Sequence, residues 1–438
     1  MRTLFIATIW MLTTGVAHAT EWFVASGGTG SGTSTAPFGR IQDAMQAALP
    51  GDTVTIRRGT YNGVIQTVRD GLAALPIRIR AAGSRGSVVV TAPGRVLRVD
   101  HPYHIVEGLV LDGQYGTADT VDINSDAHYL ILRNTEVRRS SRDLIDIASP
   151  RGLLIENCLI HRALNAADGR TDAHGIVAGA VREMTVRNTD IHTFSGDGIQ
   201  LDPARLAPGW SGVTVELVRI WLNPLPVAEN GFAAGVVPGE NAIDTKAAAE
   251  SPRATLTLRD VIAYGFRGGL ISNMAAFNIK ENVAATIDRV SVYDSEIAFR
   301  LRGGGSGGAG AWVTIQNAVV YETTTALRYE DNITNLKVRN STIGRNVTRP
   351  FRAASSGMSG LQVWNLLVLG ALPKEAMHSS NRSAGSEAFV NAAAHNYALR
   401  AGSSAIDSGI AIPEVKTDRV GVARPQGRSH DVGAYEWR

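Results

Sequence analysis

Short apolar stretches alternate with polar residues along most of the chain, and each ends in a polar turn. A two-residue period predicts β-strands with one buried face, and no helical period competes with it in this region. The pattern recurs as LRNTEV, IENCLI, VRNTDI, TLRDVI, TIQNAV, VRNSTI and VWNLLV, with degenerate copies VELVRI and IDRVSV. Repetition of one strand-and-turn unit predicts an all-β solenoid.

The spacing of the repeats indicates the size of one turn of the solenoid, or rung. Successive polar turns are 23, 31, 29, 43, 29, 28, 23 and 25 residues apart. Three short strands with their turns need roughly 20 residues or a little more, so the excess is expected in loops. Asn and Asp suit the turns because they tolerate the left-handed backbone region. The turn markers are Asn134, Asn157, Asn188, Leu217, Asp260, Arg289, Asn317, Asn340 and Asn365.

One helix is predicted, from Phe38 to Leu49, because Ile41, Ala44, Met45 and Ala48 fall on one helical face. It precedes the first rungs, where a solenoid needs a cap over its open end.

A second alternating segment of each rung carries most of the charged residues. With its apolar residues in the core, the others are predicted on one outer sheet. These are Asp146, Gln200, Asp202, Asp244, Lys246, Asn278, Lys280, Arg300, Arg302, Arg328 and Glu330. Acids lie toward the N-terminal rungs and bases toward the C-terminal ones. Because stacked like charges repel, this sorting favours a groove for a polyanion; a solvated face with signs sorted by chance is the alternative.

Three motifs, ADGRTDAHGIV, SGDGIQLD and GENAIDTK, add acids to the predicted groove. They supply Asp168, Asp172, His174, Asp197, Asp202, Glu240, Asp244 and Lys246. Carboxylates on successive rungs suit Ca²⁺, which prefers oxygen ligands. Asp197, Asp202, Glu240 and Asp244 are therefore predicted metal ligands, and turn formation is the alternative role of an acid that precedes glycine.

The two ends of the chain resemble those of secreted bacterial right-handed parallel β-helix proteins of the pectate-lyase-like superfamily. The resemblance rests on PFGRIQDAMQAALPGDTVTIRRGTY near the start and on SSAIDSG and DVGAYEWR near the end. It implies a right-handed parallel β-helix with a cap and first rung over residues 20–62 and a closing segment over 396–438. Function stays open, because the group includes polysaccharide lyases, epimerases, hydrolases and proteins with no assigned activity.

The rungs with DGIQLD and NAIDTK partly resemble those of family 9 polysaccharide lyases, which implies aspartates that hold Ca²⁺ and a lysine that removes the sugar proton. In that family the lysine directly follows the apolar residue after Asn-Gly, where this chain has Asp244. Lys246, two residues later, and Lys280, on the next rung, are both candidates for the base. His174 is a third, by resemblance to β-helix enzymes that use His near Asp, such as alginate epimerases.

β-Elimination from a uronate removes the proton at C5, next to the carboxylate, and expels the oxygen at C4. A cation that neutralises the carboxylate stabilises the developing charge, and nearby cations favour a neutral lysine base. Arg300, Arg302, Arg328, Gln200 and Asn278 are predicted to bind the substrate. The predicted function is Ca²⁺-assisted cleavage of a uronate-containing polysaccharide. The alternatives are a uronan C5-epimerase, a glycoside hydrolase with Asp202 and Asp244 as its two carboxylates, and a non-catalytic carbohydrate-binding or surface protein.

Composition limits the partners and the location. A formal net charge of +3 is too small to predict nucleic-acid binding. The single cysteine, Cys158, excludes an intrachain disulfide and is expected to be buried. Residues 1–19 have the form of a signal peptide, which predicts a secreted or periplasmic protein with one β-helix domain over 20–438. No later segment is long and apolar enough to span a membrane, and a monomer is expected.

Overall fold

In the computed structural model the described residues are 19–166, 172–202, 204–205, 209–248, 252–303, 309–330, 333, 335–354 and 360–438. Nearly all of the predicted signal peptide, residues 1–18, lies outside them, as does Asp168. Within these ranges the chain forms three long sheets in which all neighbouring strands are parallel. No helix of the described residues is long and apolar enough to cross a membrane.

Each complete rung contributes one strand to each sheet, and sheets A, B and C have 13, 13 and 11 strands. The strands of sheet A are Glu21–Val24, Thr53–Ile56, Ile77–Ala81, His104–Glu107, Ile131–Arg133, Leu154–Glu156, Thr185–Arg187, Val213–Glu216, Ala254–Arg259, Val283–Asp288, Trp312–Gln316, Asn335–Arg339 and Leu361–Trp364. Those of sheet B are Gly59–Asn62, Val88–Thr91, Leu109–Gly116, Glu136–Ser140, Leu159–Ala163, Asp190–Phe194, Arg219–Trp221, Ile262–Tyr264, Ser291–Tyr293, Val319–Val320, Thr342–Ile343, Leu367–Leu369 and Arg382–Ala384. Those of sheet C are Ile65–Gln66, Leu97–Val99, Val121–Ile123, Ile145–Ile147, Ile176–Ala178, Ile199–Leu201, Ile243–Thr245, Ala275–Ile279, Ser295–Leu301, Thr323–Tyr329 and Arg349–Ala353.

The remaining regular elements are short. They are the helix Ile41–Ala47, the 3₁₀ turns Lys374–Ala376, Ser386–Ala388 and Ala392–Ala394, and an antiparallel pair, Phe389–Asn391 with Asn396–Leu399. The predicted all-β right-handed parallel β-helix is confirmed. The helix is also confirmed, with Ile41, Ala44 and Met45 buried. It is shorter than predicted at both ends. Phe38 pairs with the backbone of the first strand instead of joining the helix, and Leu49 precedes a proline, which disfavours the helical conformation.

The nine predicted turn markers all lie between a strand of sheet A and the following strand of sheet B. Each has a positive φ, between 40° and 55°. Asn and Asp adopt this region readily, whereas Leu217 and Arg289 do so at a cost of roughly 1 kcal/mol. Repetition of one backbone turn thus keeps successive rungs in register.

The core is a column of apolar side chains inside the solenoid. In sheet C the inward positions include Ile199, Leu201, Ile243, Phe277 and Phe299, and all five are fully buried. Their alternation with outward polar residues is the pattern that predicted this sheet. Cys158 is buried as well, and burial raises the pKa of its thiol to about 12.

The C-terminal segment packs against the outer face of sheet B. Phe389, Tyr397 and Val432 form an apolar cluster with Val319 and Leu367. Arg424 and Glu436 form an ion pair of 2.6 Å within this segment, and both side chains are completely buried. The pair anchors the segment because an uncompensated charge at either residue would be costly.

Outside sheet B, six rings from successive rungs and one ring from the C-terminal segment, His395, stack in a ladder. They are His161, His192, Trp221, Tyr264, Tyr293, Tyr321 and His395, with neighbouring centroids 4.4 to 5.8 Å apart. Contacts between neighbouring rings stabilise each rung against the next.

Tyr293→Ala removes a ring from the middle of the ladder, where it stacks on Tyr264 at 4.8 Å and on Tyr321 at 5.0 Å. We expect the free energy of unfolding to fall by about 2 kcal/mol. His395→Ala, at the end of the ladder, should cost less than half as much. Guanidinium unfolding of both variants measures the difference; equal losses would contradict a cooperative ladder.

Candidate functional site

Outward side chains of sheet C form one column over eleven rungs. The register of the strands aligns Gln66, Arg98, Asp122, Asp146, Val177, Gln200, Asp244, Asn278, Arg300, Arg328 and Arg352. The predicted alignment of Gln200, Asp244, Asn278, Arg300 and Arg328 is therefore correct. The acids lie on N-terminal rungs and the arginines mainly on C-terminal ones, as the sequence indicates.

Asp244 lies at the centre of this column and is paired with two lysines. Its Oδ2 is 2.8 Å from Lys280 Nζ and 3.6 Å from Lys246 Nζ, while its Oδ1 accepts a 2.9 Å hydrogen bond from Asn278 Nδ2. Burial and the charge of Asp197 raise the pKa of Asp244 to about 6, and the two ammonium groups oppose that rise. The carboxylate is ionised at neutral pH and holds both lysine side chains in the groove.

A second polar ladder lies two residues before the start of five successive strands of sheet C. Its members on successive rungs are Asp119, Asp143, His174, Asp197 and Asn241. Three of these carboxylates accept a hydrogen bond from the backbone N–H of the ladder residue on the next rung. Asp119 accepts from Asp143, Asp143 from His174, and Asp197 from Asn241. These bonds fix the side chains where the chain enters the outer sheet.

His174 lies in this ladder between two carboxylates. Its Nδ1 donates to Asp143 Oδ1 at 2.8 Å, and its Nε2 is 3.8 Å from Asp197 Oδ2. Burial lowers the pKa of His174, but the hydrogen bond to Asp143 and the charges of Asp143, Asp197 and Asp172 outweigh it and raise the pKa to about 9. The imidazole is therefore protonated at neutral pH, with Nε2 left to act on a ligand.

A cavity of about 300 Å³ opens where these two ladders meet. Its lining residues are Arg142, Asp143, Asn165, Asp172, His174, Val177, Gln200 and Lys246. The structure thus brings together three predicted site residues, His174, Gln200 and Lys246. It adds Arg142, Asp143 and Asn165, which the sequence analysis did not identify.

The arginines on the next rungs differ in their pairing. Arg302 Nε is 2.6 Å from Glu330 Oε2, and Arg328 Nη1 donates to Asn273 Oδ1 at 2.7 Å. No described carboxylate forms an ion pair with Arg300 or Arg328. Burial and the charges of Arg328 and Arg302 lower the pKa of Arg300. The buried Nε atoms of Arg300 and Arg328 have no hydrogen-bond acceptor among the described residues.

The predicted exposure of Asp202 and Asp244 is wrong. Asp202 is completely buried and Asp244 is 2% exposed. Asp202 has a φ of 48° at the end of its strand, so it leaves the alternation of the sheet. The indole N–H of Trp210 donates to the Lys246 carbonyl at 2.7 Å. The two acids therefore do not face each other across an open cleft as a hydrolase pair would.

Among the four predicted calcium ligands, Asp197 has both carboxylate oxygens engaged by neighbouring groups. Asp197 Oδ1 accepts from the backbone and side chain of Asn241, and its Oδ2 accepts from Gln200 Nε2 at 2.8 Å. Burial and the charges of Asp197 and Asp172 raise the pKa of Glu240 to about 7. In the part of the chain that the structure describes, no three His, Cys, Asp or Glu side chains are grouped so as to hold a metal ion. Calcium binding by the four predicted ligands stays a prediction, and we assign no reaction step to Ca²⁺.

Comparison with known proteins agrees with the fold. Neither a family model nor a curated protein sequence matches the chain. A rhamnogalacturonan lyase structure is similar, with 13% identity, a TM-score of 0.54, and coverage of 85% of this chain and 91% of that one. The chain shares the parallel β-helix fold of this structure. The A-module of the Azotobacter vinelandii mannuronan C-5 epimerase AlgE4 has 14% identity and a TM-score of 0.51, with 78% of this chain and 99% of that one covered.

The PL6 family alginate lyase AlyGC is also similar, with 13% identity and a TM-score of 0.51; 83% of this chain and 53% of that one are covered. At such identities the likeness shows the shared fold alone. The predicted resemblance to the pectate-lyase-like superfamily is confirmed at that level, and the activity has to be argued from the site.

Proposed function

We propose that this protein is a polysaccharide lyase that cleaves a uronate-containing polysaccharide by β-elimination. The observation that carries the proposal is the cavity that His174 and Lys246 share, at the point where the outer column changes from acids to arginines. Lyases and an epimerase among the similar structures have the same fold. A cavity of about 300 Å³ accommodates roughly one or two sugar units of an extended chain.

The two groups have separate roles in the proposed reaction. Lys246 Nζ takes the proton from C5 of the uronate, and the electron pair of that C–H bond forms the double bond between C4 and C5. The bond from C4 to the glycosidic oxygen breaks, and the protonated Nε2 of His174 donates a proton to that oxygen. Asp143 holds the imidazole by Nδ1, which keeps Nε2 directed to the substrate.

Arginines on the adjacent rungs support binding of the sugar carboxylates. Arg300 and Arg328 are stacked on neighbouring strands, and each has a buried Nε without a described acceptor. Leaving a buried donor unsatisfied costs free energy that a carboxylate oxygen would recover. Gln200 lines the cavity, and Asn278 lies in the same column between the cavity and the arginines, where amide groups suit sugar hydroxyls.

A C5-epimerase is the second candidate, because one cavity contains two groups able to exchange a proton. Such an enzyme would remove the C5 proton with one group and return a proton on the opposite face with the other. In deuterated water it would place deuterium at C5 without shortening the polymer.

Incubation with a panel of polyuronates is expected to give products with the ultraviolet absorbance of a C4–C5 double bond, together with a falling polymer size. Elimination alone produces that double bond, so the assay separates the candidates. New reducing ends without absorbance would indicate hydrolysis, and binding without either change would indicate a non-catalytic protein. Heat-inactivated protein is the control.

Calcium assistance, export from the cytoplasm and a monomeric state stay predictions. The first is tested by adding a chelator to the same assay and then restoring Ca²⁺. Loss and recovery of the rate would support a role for calcium. An unchanged rate would leave the lysines and arginines of sheet C as the cations that neutralise the substrate.

A further inference from the structure

The outer face of sheet C carries opposite charge on the two sides of the cavity. On the N-terminal side, two consecutive rungs contribute Asp119, Asp122, Asp143 and Asp146. On the C-terminal side, three consecutive rungs contribute Arg300, Arg328 and Arg352. At about 4.8 Å per rung, Arg352 lies roughly 19 Å from Asp244 along the solenoid.

The acidic side is only partly neutralised. Asp122 pairs with Arg95, and Asp119 lies 3.4 Å from Arg142. Asp143 pairs with His174. No described cation forms an ion pair with Asp146, which pairs in register with Asp122 on the next strand. A further anion placed on these two rungs would lie against the carboxylates of Asp122 and Asp146.

The basic side has the opposite excess. Arg302 is paired with Glu330, but no described carboxylate forms an ion pair with Arg300, Arg328 or Arg352. Stacked guanidinium groups repel one another, and an anion on their surface relieves that repulsion. The two sides therefore differ in their affinity for a chain of carboxylates.

We propose that the groove binds a uronate chain on the arginine side of the cavity only, so that the enzyme cuts near one end of the polymer. This inference rests on the proposed function and adds to it the position of the chain. Uronates on the arginine side pair with Arg300, Arg328 and Arg352. Uronates continuing past His174 would lie against Asp122 and Asp146, and their repulsion stops the chain there.

Binding of uronate oligomers of increasing length, followed by calorimetry, tests the position of the chain without requiring turnover. In the unmodified protein, affinity is expected to rise with length and then level off once the arginine side is filled. In Asp146→Asn, the affinity of the longest oligomers should increase by about threefold, and Asp146→Lys should increase it further. Asp70→Asn, which removes an equal charge from an exposed loop residue of the first rungs, is the matched control and should behave like the unmodified protein.

The outcomes separate this inference from the proposed function. Loss of the affinity plateau in Asp146→Asn and Asp146→Lys would support binding on the arginine side only, even if no unsaturated product forms. The inference is overturned if affinity keeps rising with length in the unmodified protein, or if affinity does not depend on the charge of residue 146. With active protein, short products released from the start of the reaction support it, whereas products of all sizes count against it. Circular dichroism of the variants checks that they fold.

Discussion

Lys246→Ala is expected to lower the rate of polymer cleavage by about 1,000-fold while polymer binding changes little. Lys246 lines the cavity with His174 and is the lysine of the pair that reaches it. Its removal leaves Asp244 with Lys280 at 2.8 Å, so no buried carboxylate loses its last cation. Initial rates of ultraviolet absorbance and calorimetric binding of the polymer measure the two effects separately.

Two other lysines serve as comparisons. Lys337 lies on the outward side of sheet A, where Lys337→Ala removes the same charge away from the groove and should leave the rate unchanged. Lys280→Ala removes the closer partner of Asp244 and should weaken binding more than it slows turnover. Lys246 would be excluded as the base if Lys246→Ala had normal turnover, or if Lys280→Ala were the only one of these variants that lost turnover completely.

The sequence predicts the outer column because strand geometry leaves little freedom. Alternation with a period of two assigns each side chain to a face, and one apolar anchor per rung, such as Ile199 or Ile243, sets the register. The sequence alone therefore aligns five residues of the column, which are Gln200, Asp244, Asn278, Arg300 and Arg328. The turn markers were equally predictable, because a repeated left-handed residue favours Asn and Asp.

The pairs that control the chemistry were harder to predict. Asp143 and His174 are 31 residues apart, and the length of the intervening loop is not fixed by the repeat. Extending the alignment of sheet C two residues toward the N-terminus would have shown the ladder that contains Asp143, His174 and Asp197. Asp202 was assigned to the wrong face because the alternation of side chains ends with the strand. Asp202 follows the last residue of its strand and has a left-handed backbone conformation.

Asp143→Asn is expected to move the alkaline limit of activity to lower pH. In the unmodified protein, cleavage should fall as pH rises through about 9, where His174 loses the proton that it donates to the leaving oxygen. Without the charge of Asp143, the pKa of His174 falls toward its ordinary value of about 6.5, and the protonated fraction at pH 8 falls by about 30-fold. Profiles of kcat/KM against pH test this; identical alkaline limits would contradict the role of Asp143.

The same variant makes a second prediction, because a raised pKa is also a contribution to stability. His174 takes up its proton more readily in the folded state, so its contribution is fully present below pH 6.5 and is lost as pH rises through about 9. The raised pKa corresponds to about 3 kcal/mol. Asp143→Asn should therefore destabilise the fold more at pH 6 than at pH 10. Asp190→Asn is the control, because it breaks an ion pair with Arg219 and arginine does not titrate in this range. Its effect on the free energy of unfolding should be smaller and equal at both pH values.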